Sequence, residues 1–236
     1  MILSICIPTV SHRKGLLSRL LWSIGEQAQG FENMFEVLVY PGDDIPYGDK
    51  LNHMFSIAQG EWVVAVGDDD WLPANYLQIL PLLRDKDVDY LGYKILYLEG
   101  GHFQYEIAHS AEIKGWPTRN VRGVCQTCPV RTSIAKSVPF GNEYTDDQIW
   151  SMSVREQVKT YLFVDRVLYY YDHRELTEMV GTTRDQRPDA WIDINRVGEW
   201  DYTFPWWEGP VWLNAKGRRP RSKSETRRLA VQRGPR

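Results

Sequence analysis

Cysteine is scarce, with three in 236 residues. That is too few to staple a chain of this length, so a disulfide scaffold is excluded and a reducing cytoplasm is the expected setting. No apolar run approaches the ~18–20 residues that a membrane span requires. The opening run, Ile2 to Ile7, is too short for a signal-peptide core and has no basic residues before it. The sequence has no GxxxxGK[ST] phosphate loop, GxGxxG fingerprint, GxSxG elbow or HExxH pair. These absences disfavour P-loop NTPases, dinucleotide dehydrogenases, α/β-hydrolases and zincins. With 43% apolar and 25% charged residues, the chain is neither wholly disordered nor fibrous. Its length suits one domain, or one domain with an appendage.

The net charge of −3 conceals an asymmetry. Residues 216–236 carry nine Lys/Arg and one acid, Glu225, which leaves residues 1–215 with a net of −11. An acidic body bears a basic tail. The tail is too poor in apolar residues to offset its ordering entropy. We expect it to be mobile, or to order only on an anionic partner such as nucleic acid, anionic lipid or an acidic protein. Aromatics are abundant, with Trp 10 and Tyr 13, and Glu199 to Trp212 is especially rich in them. This Pro-rich stretch reads as a packed C-terminal arm or as a surface on which sugar rings and bases stack.

The first half has a regular rhythm. Leu3 to Pro8 reads as a strand buried on both faces. Leu16, Leu17, Leu20, Leu21 and Ile24 then recur at helix spacing, with Lys14, Ser18 and Arg19 on the outer face and a fade near Gly25 to Gly30. A second strand, Phe35 to Tyr40, stops at Pro41-Gly42. Residues 48–59 form a second helix, with Leu51, Phe55 and Ala58 inward and Gly60 as its stop. A third strand, Trp62 to Val66, runs into Gly67-Asp-Asp-Asp-Trp71, and a third helix spans Asn75 to Arg84.

Alternating strands and helices with long connections predict an α/β fold, a mostly parallel central sheet flanked by helices. Ligands of such sheets bind beyond the carboxyl ends of the strands, where Thr9, Asp43/Asp44 and Asp68–Asp70 all lie. The second half is less regular. Val88 to Leu98 is one strand or a pair, and residues 99–122 are loop or irregular β structure. Asp147 to Val158 is a helix with Ile149, Trp150, Ser153 and Val154 on one face. Phe163-Val164 and Val167 to Tyr171 are a hairpin or consecutive strands.

Asp68, Asp69 and Asp70 repel one another, most strongly if they face a confined cleft. A hard divalent cation relieves that repulsion while keeping open positions for phosphate. The plainer reading is a solvated turn whose Asp caps the next helix, but the position at the end of a buried strand favours metal. Asp146 and Asp147 open a helix and suit a general base, though acids also favour a first helical turn for purely structural reasons. Lys50 suits a phosphate, and His173 a ligand or phosphate contact, although each taken alone is weak. Cys125 and Cys128 have CxxC spacing without the second ligand pair that zinc requires, and read as ordinary thiols.

Five segments in order resemble the family 2 glycosyltransferases of the GT-A fold, over roughly residues 2–175. Leu3-Ser-Ile-Cys-Ile-Pro-Thr9 is similar to that family's first strand and the Pro-Thr that meets the nucleotide. Gly48-Asp-Lys-Leu-Asn52, followed by Ala58-Gln-Gly-Glu-Trp-Val-Val64, resembles its K/R-x-N and A-x-G-E-Y-I run. Asp68-Asp-Asp-Trp-Leu-Pro73 looks like its acidic metal motif. Asp146-Asp-Gln-Ile-Trp150 is similar to the acidic pair before the acceptor-side helix, and Tyr169-Tyr-Tyr-Asp-His173 to the closing segment. Two departures stand out. Pro41-Gly42 occupies the place of the acid that grips the nucleobase, displacing Asp43 and Asp44, and Gly67 replaces the first acid of the fuller acidic run.

The resemblance implies a metal-dependent, inverting hexosyltransferase with Mn²⁺ or Mg²⁺ held by Asp70, Asp68 and His173. Pro8, Thr9, Asp43, Asp44, Lys50, Asn52, Asp68, Asp69 and His173 would contact the nucleotide sugar, with a UDP-sugar favoured. Registering on Trp150 makes Asp146 the base and is preferred, whereas registering on the acidic pair makes it Asp147. The implied organisation is a nucleotide-sugar half (1–98), an acceptor half (99–188), a Trp-rich arm (189–215) and the tail (216–236). The acceptor is a hydroxyl of a saccharide, a protein or, as a minority reading, a hydroxylated base in nucleic acid. Nucleotidyl transfer is the second reading, carried faintly by Ser11-His-Arg-Lys-Gly15. A non-catalytic carbohydrate- or nucleic-acid-binding protein is the third.

Overall fold

A computed structural model describes residues 1–99, 102–112, 120–143, 145–173 and the backbone of 211–212. The Trp-rich arm, apart from those two residues, and the basic tail lie outside the described residues. Among the described residues, no helix is long and apolar enough to cross a membrane.

One sheet of nine strands organises the chain. Its centre is parallel: β1 (Leu3–Pro8) lies between β2 (Phe35–Tyr40) and β3 (Trp62–Ala65). Every residue of β1 is buried, as helices packed on both faces of a parallel sheet demand. Those helices are α1 (Lys14–Gln27), entered through a 3₁₀ turn at Ser11–Arg13, and α2 (Tyr47–Ile57). After β3 come a 3₁₀ turn, Tyr76–Gln78, and α3 (Ile79–Asp85). The order of these elements is the one the hydrophobic spacing predicts.

Two polar side chains, Ser4 and Glu36, sit in the buried strands and satisfy one another. Ser4 Oγ donates to Glu36 Oε1 at 2.5 Å, and the same oxygen accepts the Gln59 N–H at 2.7 Å.

The second half extends the sheet. β4 (Tyr90–Glu99) is one long strand, paired antiparallel to β5 (His102–His109) and parallel to β8 (Tyr161–His173). β6 (Val121–Arg122) pairs parallel to β5. β7 (Val130–Arg131) joins the two halves, antiparallel to both β3 and β4. β9 (Val211–Trp212) lies antiparallel to β2 at the far edge. A single turn, α4 (Thr132–Ala135), precedes α5 (Asp146–Gln157).

Three expectations are corrected here. Ser18 and Arg19 are buried, not on an outer face, because Ser18 Oγ donates back to the Lys14 carbonyl and Arg19 packs over Trp71. Ile149 is exposed while Trp150 and Val154 are buried, so α5 turns a narrower apolar stripe inward than its sequence suggests. The residues read as two short strands near 163–171 form the single strand β8, which pairs with β4 along its length through an irregular register between Val164 and Tyr169.

His109, at the end of β5, is buried, and its Nδ1 lies 3.0 Å from the Gly123 carbonyl. Burial, with Arg122 adding to it against the Gly123 hydrogen bond, lowers its pKa to about 4. The unfolded chain then binds the proton more readily, so this group's contribution to stability is present above the ordinary histidine range and lost as pH falls toward 4. Urea unfolding at pH 7 and pH 4.5 should show a smaller drop in His109→Gln than in wild type, by up to about 3 kcal/mol.

Candidate active site

The carboxyl ends of β1 and β3 meet at one cleft. β3 leads into a tight turn closed by the Asp70 N–H donating to the Gly67 carbonyl at 3.1 Å. Gly67 is required there by close approach. A Cβ at Gly67 would stand 2.4 Å from Asp70 Oδ2 and 3.0 Å from Asp69 Oδ1. Two carboxylate oxygens therefore converge over a backbone face that only glycine leaves open.

Each acid of the triplet has its own partners. Asp68 is buried; its Oδ2 accepts from Thr9 Oγ1 at 2.6 Å and its Oδ1 from Arg13 Nη1 at 2.9 Å. Arg13 also reaches Asp69 Oδ2 at 3.2 Å, and Arg19 Nη2 donates to the Asp69 carbonyl at 3.3 Å. Asp70 is buried and held from the opposite side of the sheet. Tyr169 Oη donates to its Oδ2 at 2.6 Å, and the Asp172 N–H donates to its Oδ1 at 3.0 Å. Tyr169 Oη in turn accepts the Gly67 N–H at 3.0 Å. Reciprocal backbone hydrogen bonds between Trp71 and Tyr170, 3.1 and 3.0 Å, fasten β8 to this turn.

The electrostatics are those of crowded acids. Burial first, then Asp69, pushes Asp68 and Asp70 above the ordinary carboxylate range, against the hydrogen bonds that favour their charged forms. Burial works to lower Arg13, but Asp69 and Asp68 outweigh it and hold it charged. Lys50 is buried in α2, and its Nζ donates to the Thr9 carbonyl at 2.7 Å. Burial lowers its pKa, against the pull of Asp68 and Asp43.

The other expected residues fall in two groups. Pro8 ends β1 opposite Tyr40. Gly42, at φ 150°, turns the chain so that Asp43 reaches back across the cleft. Asp43 Oδ2 accepts from Ser11 Oγ at 2.5 Å and its Oδ1 from the Ser11 N–H at 2.6 Å, which lowers its pKa. Asp44 is exposed in the same turn. Asn52, expected among the nucleotide-sugar contacts, has its amide engaged by backbone. Its amide gives 2.9 Å to the Phe140 carbonyl and takes 2.8 Å from the Phe140 N–H, so it braces α2 against the loop before α5. Asp68, expected among the metal ligands, is committed on both oxygens to Thr9 and Arg13. The His173 ring stacks on Tyr97 and Tyr171, rather than turning to the triplet.

Phe140 stacks on Trp150 at 4.6 Å with 9° between planes, and Trp150 Nε1 donates to the Ala135 carbonyl at 3.3 Å. This cluster seats the first turn of α5. The two acids at that turn differ. Asp146 accepts the Glu143 N–H and lies against Gly141, folded into its own loop. Asp147 is exposed, and its charge acts on Tyr47, Cys125 and Tyr171. Thr145 precedes them at φ 97°, a left-handed conformation that a β-branched residue adopts only when its surroundings impose it.

Hard oxygens suit Mg²⁺ or Mn²⁺. Among the described residues, no three His, Cys, Asp or Glu side chains converge as a complete metal set. Asp69 and Asp70 meet over Gly67, and Asp70, like Asp68, already accepts one hydrogen bond on each oxygen, so each could offer a metal only the second lone pair of an oxygen. That fits an ion whose remaining positions belong to water and phosphate oxygens. Sequence reasoning did not single out Arg13, Arg19, Tyr169 or Tyr171. Arg13 lies in the Ser11–Gly15 stretch, which carries only a faint nucleotidyl signature, and Tyr169 is one of three adjacent tyrosines that sequence does not distinguish.

No protein-family model and no curated protein matches the chain. Solved structures do. TarS 1–349 of S. aureus superposes with TM-score 0.54 at 19% identity, covering 73% of this chain and 60% of its own. TarS 1–349 in complex with UDP-GlcNAc gives 0.55 at 17%, covering 82% and 64%. A mycobacterial protein gives 0.51 at 15%, covering 75% and 69%. The chain spans less than two thirds of the TarS chains. At these identities the likeness shows the fold, which is GT-A.

Tyr169→Phe should cost about 1–3 kcal/mol in urea unfolding, because it removes a donor from a buried carboxylate and an acceptor from the Gly67 N–H. Thr145→Gly should gain stability by about 1 kcal/mol in the same measurement, by releasing the strained φ.

Proposed function

We propose that the chain is an inverting glycosyltransferase that moves a sugar from a nucleoside-diphosphate donor, a UDP-sugar, to an acceptor hydroxyl. The observation that supports this most is the acid turn after β3, facing Thr9, Arg13 and Lys50 at the end of β1 within a GT-A fold. TarS, which shares the fold, has been crystallised with UDP-GlcNAc and with UDP, and that supports a uridine donor here.

In this reading the pyrophosphate enters between the two strand ends. Arg13 and Lys50 offer fixed positive charge to it, while Asp68 and Thr9 hold those groups in place. Asp43, with Asp44 beside it, borders the nucleoside end. Asp70 and Asp69 would hold Mn²⁺ or Mg²⁺, which when bound supplies positive charge for the departing diphosphate. His173 is a further donor-side contact, at the end of the strand whose Asp172 N–H fixes Asp70.

Asp147 is the general base. It is exposed at the first turn of α5 and directs its charge across the cleft, whereas Asp146 is spent on its own loop. Its carboxylate takes the proton of the acceptor hydroxyl as that oxygen attacks the anomeric carbon. The bond from that carbon to the phosphate oxygen breaks on the opposite face, and the nucleoside diphosphate leaves with the electron pair. One displacement inverts the anomeric centre.

A bound donor raises apparent stability by mass action. Thermal unfolding of the full chain with UDP-GlcNAc, UDP-glucose or UDP should therefore shift upward, more so with Mn²⁺. Asp70→Asn should lose the Mn²⁺-dependent part of that shift. Asp147→Asn should keep the shift but lower turnover about 10²- to 10⁴-fold, measured as UDP released. A failure of every UDP-sugar to stabilise the chain overturns the donor assignment. Wild-type turnover in Asp147→Asn overturns the base, and release of pyrophosphate instead of UDP points to nucleotidyl transfer.

A further inference from the structure

Four aromatic rings stand together where β4, β5 and β8 run side by side. Tyr97 on β4 lies 4.8 Å from Tyr105 on β5, with 11° between their planes. On its other side it lies 5.5 Å from Tyr171 on β8, at 27°. His173 stacks on both, 5.9 Å from Tyr97 and 6.4 Å from Tyr171. In a core, such stacking is ordinary packing. This group is at the surface: Tyr171 is 40% exposed, His173 is exposed, and Tyr97 and Tyr105 are half-buried.

Strand alternation explains where the rings lead. Tyr169, Tyr171 and His173 project from one face of β8. Tyr169, the innermost, donates to Asp70. Each two-residue step along a strand covers about 6.6 Å, so Tyr171 and His173 are one and two steps outward from the acid turn. The charges of Asp70, Asp69 and Asp147 all act on Tyr171, which burial first and then these acids push above its ordinary pKa. Tyr171 thus borders both the donor side and the base. The group joins the active cleft to solvent, and the proposed mechanism assigns nothing to Tyr97, Tyr105 or Tyr171.

We propose that this stacked group is the acceptor platform, and that its ligand is an uncharged saccharide chain whose ring C–H faces rest on Tyr171. The inference rests on the transfer reading above. Aromatic faces with polar edges match a pyranose, which is apolar across its face and rich in hydroxyls at its rim. Charge decides against an anionic chain. The charges of Asp70, Asp69 and Asp147 act on Tyr171, and that of Glu99 on Tyr97. The cation acting on this face, Arg122, has a weaker influence on Tyr97 than Glu99 does. A polyphosphate backbone would meet repulsion where it needs basic residues.

Affinity electrophoresis of the full chain tests this, in gels containing dextran, xyloglucan, mixed-linkage β-glucan or galactomannan, with a single-stranded oligonucleotide shift assay beside them. At least one glycan should retard the wild-type chain. Tyr171→Ala and Tyr97→Ala should each weaken that retardation about three- to tenfold, the scale of one lost aromatic stack, and Tyr171→Trp should restore it. The thermal shift given by UDP-GlcNAc should stay at the wild-type value in Tyr171→Ala, which also confirms that the variant is folded. Absence of retardation by every glycan, or undiminished retardation in Tyr171→Ala, overturns the platform and leaves the transfer reading untouched. Tyr171-dependent binding of the oligonucleotide in preference to the glycans also overturns it, in favour of a base-stacking surface. Glycan retardation that needs Tyr171, without any donor-induced shift, sinks the transfer reading and leaves a saccharide-binding surface.

Discussion

A carboxylate withdrawn from water must be met by donors or by positive charge. Three successive aspartates at the end of a buried strand raise that requirement to the point where it shapes the architecture around them. Thr9 and Arg13 come from the end of β1 to Asp68, and Arg19 comes from α1 to the Asp69 carbonyl. Tyr169 and the Asp172 N–H come from β8 to Asp70. The donors do not fully answer the charge, since Asp68 and Asp70 remain pushed toward their neutral forms. What is left over is an electrostatic receptiveness to added positive charge, which is the physical basis of the proposed cation.

The cleft has a division of labour. One wall, built from β1, β3 and the first helices, is rigid: its strands are fully buried and its cations are fixed by short hydrogen bonds. The opposite wall is the start of α5, seated by the Phe140–Trp150 stack and braced by Asn52 through the Phe140 backbone. Asp147 is presented on a well-supported helix end although its own side chain stands in solvent. A general base that must admit an acceptor and then release it is suited by this combination of fixed backbone and accessible carboxylate.

Much of this was readable in the residues alone, where local pattern and position coincide. Leu3–Pro8, Phe35–Tyr40 and Trp62–Ala65 declare themselves as buried strands because their apolar runs end at Pro or Gly. The acid triplet declares itself because it follows such a strand directly. What was not readable depends on partners distant in sequence. Arg19 looks like a surface residue of an amphipathic helix until Trp71 gives its guanidinium a ring to cover at 3.4 Å. Asn52 looks like a ligand residue until Phe140 claims both ends of its amide. That the loop before α5 engages Asp146 and leaves Asp147 exposed is likewise not encoded in spacing. Tyr169 was visible as one of three tyrosines, but its role depends on the parallel register of β4 and β8.

That register has a kinetic corollary. The bonds from Tyr169 and Asp172 to Asp70 close loops of 99 and 102 residues, so they are among the long-range contacts that a folding chain makes slowly. The β1–β3 region can assemble from nearer neighbours. Asp68 can meet Thr9 and Arg13 there, but Asp70 acquires its donors only once the strand ending at His173 has been synthesised and docked. During translation the chain therefore passes through a stage in which the sheet centre can form while Asp70 still faces water, and the finished acid turn appears abruptly at the end of that stage instead of growing with chain length.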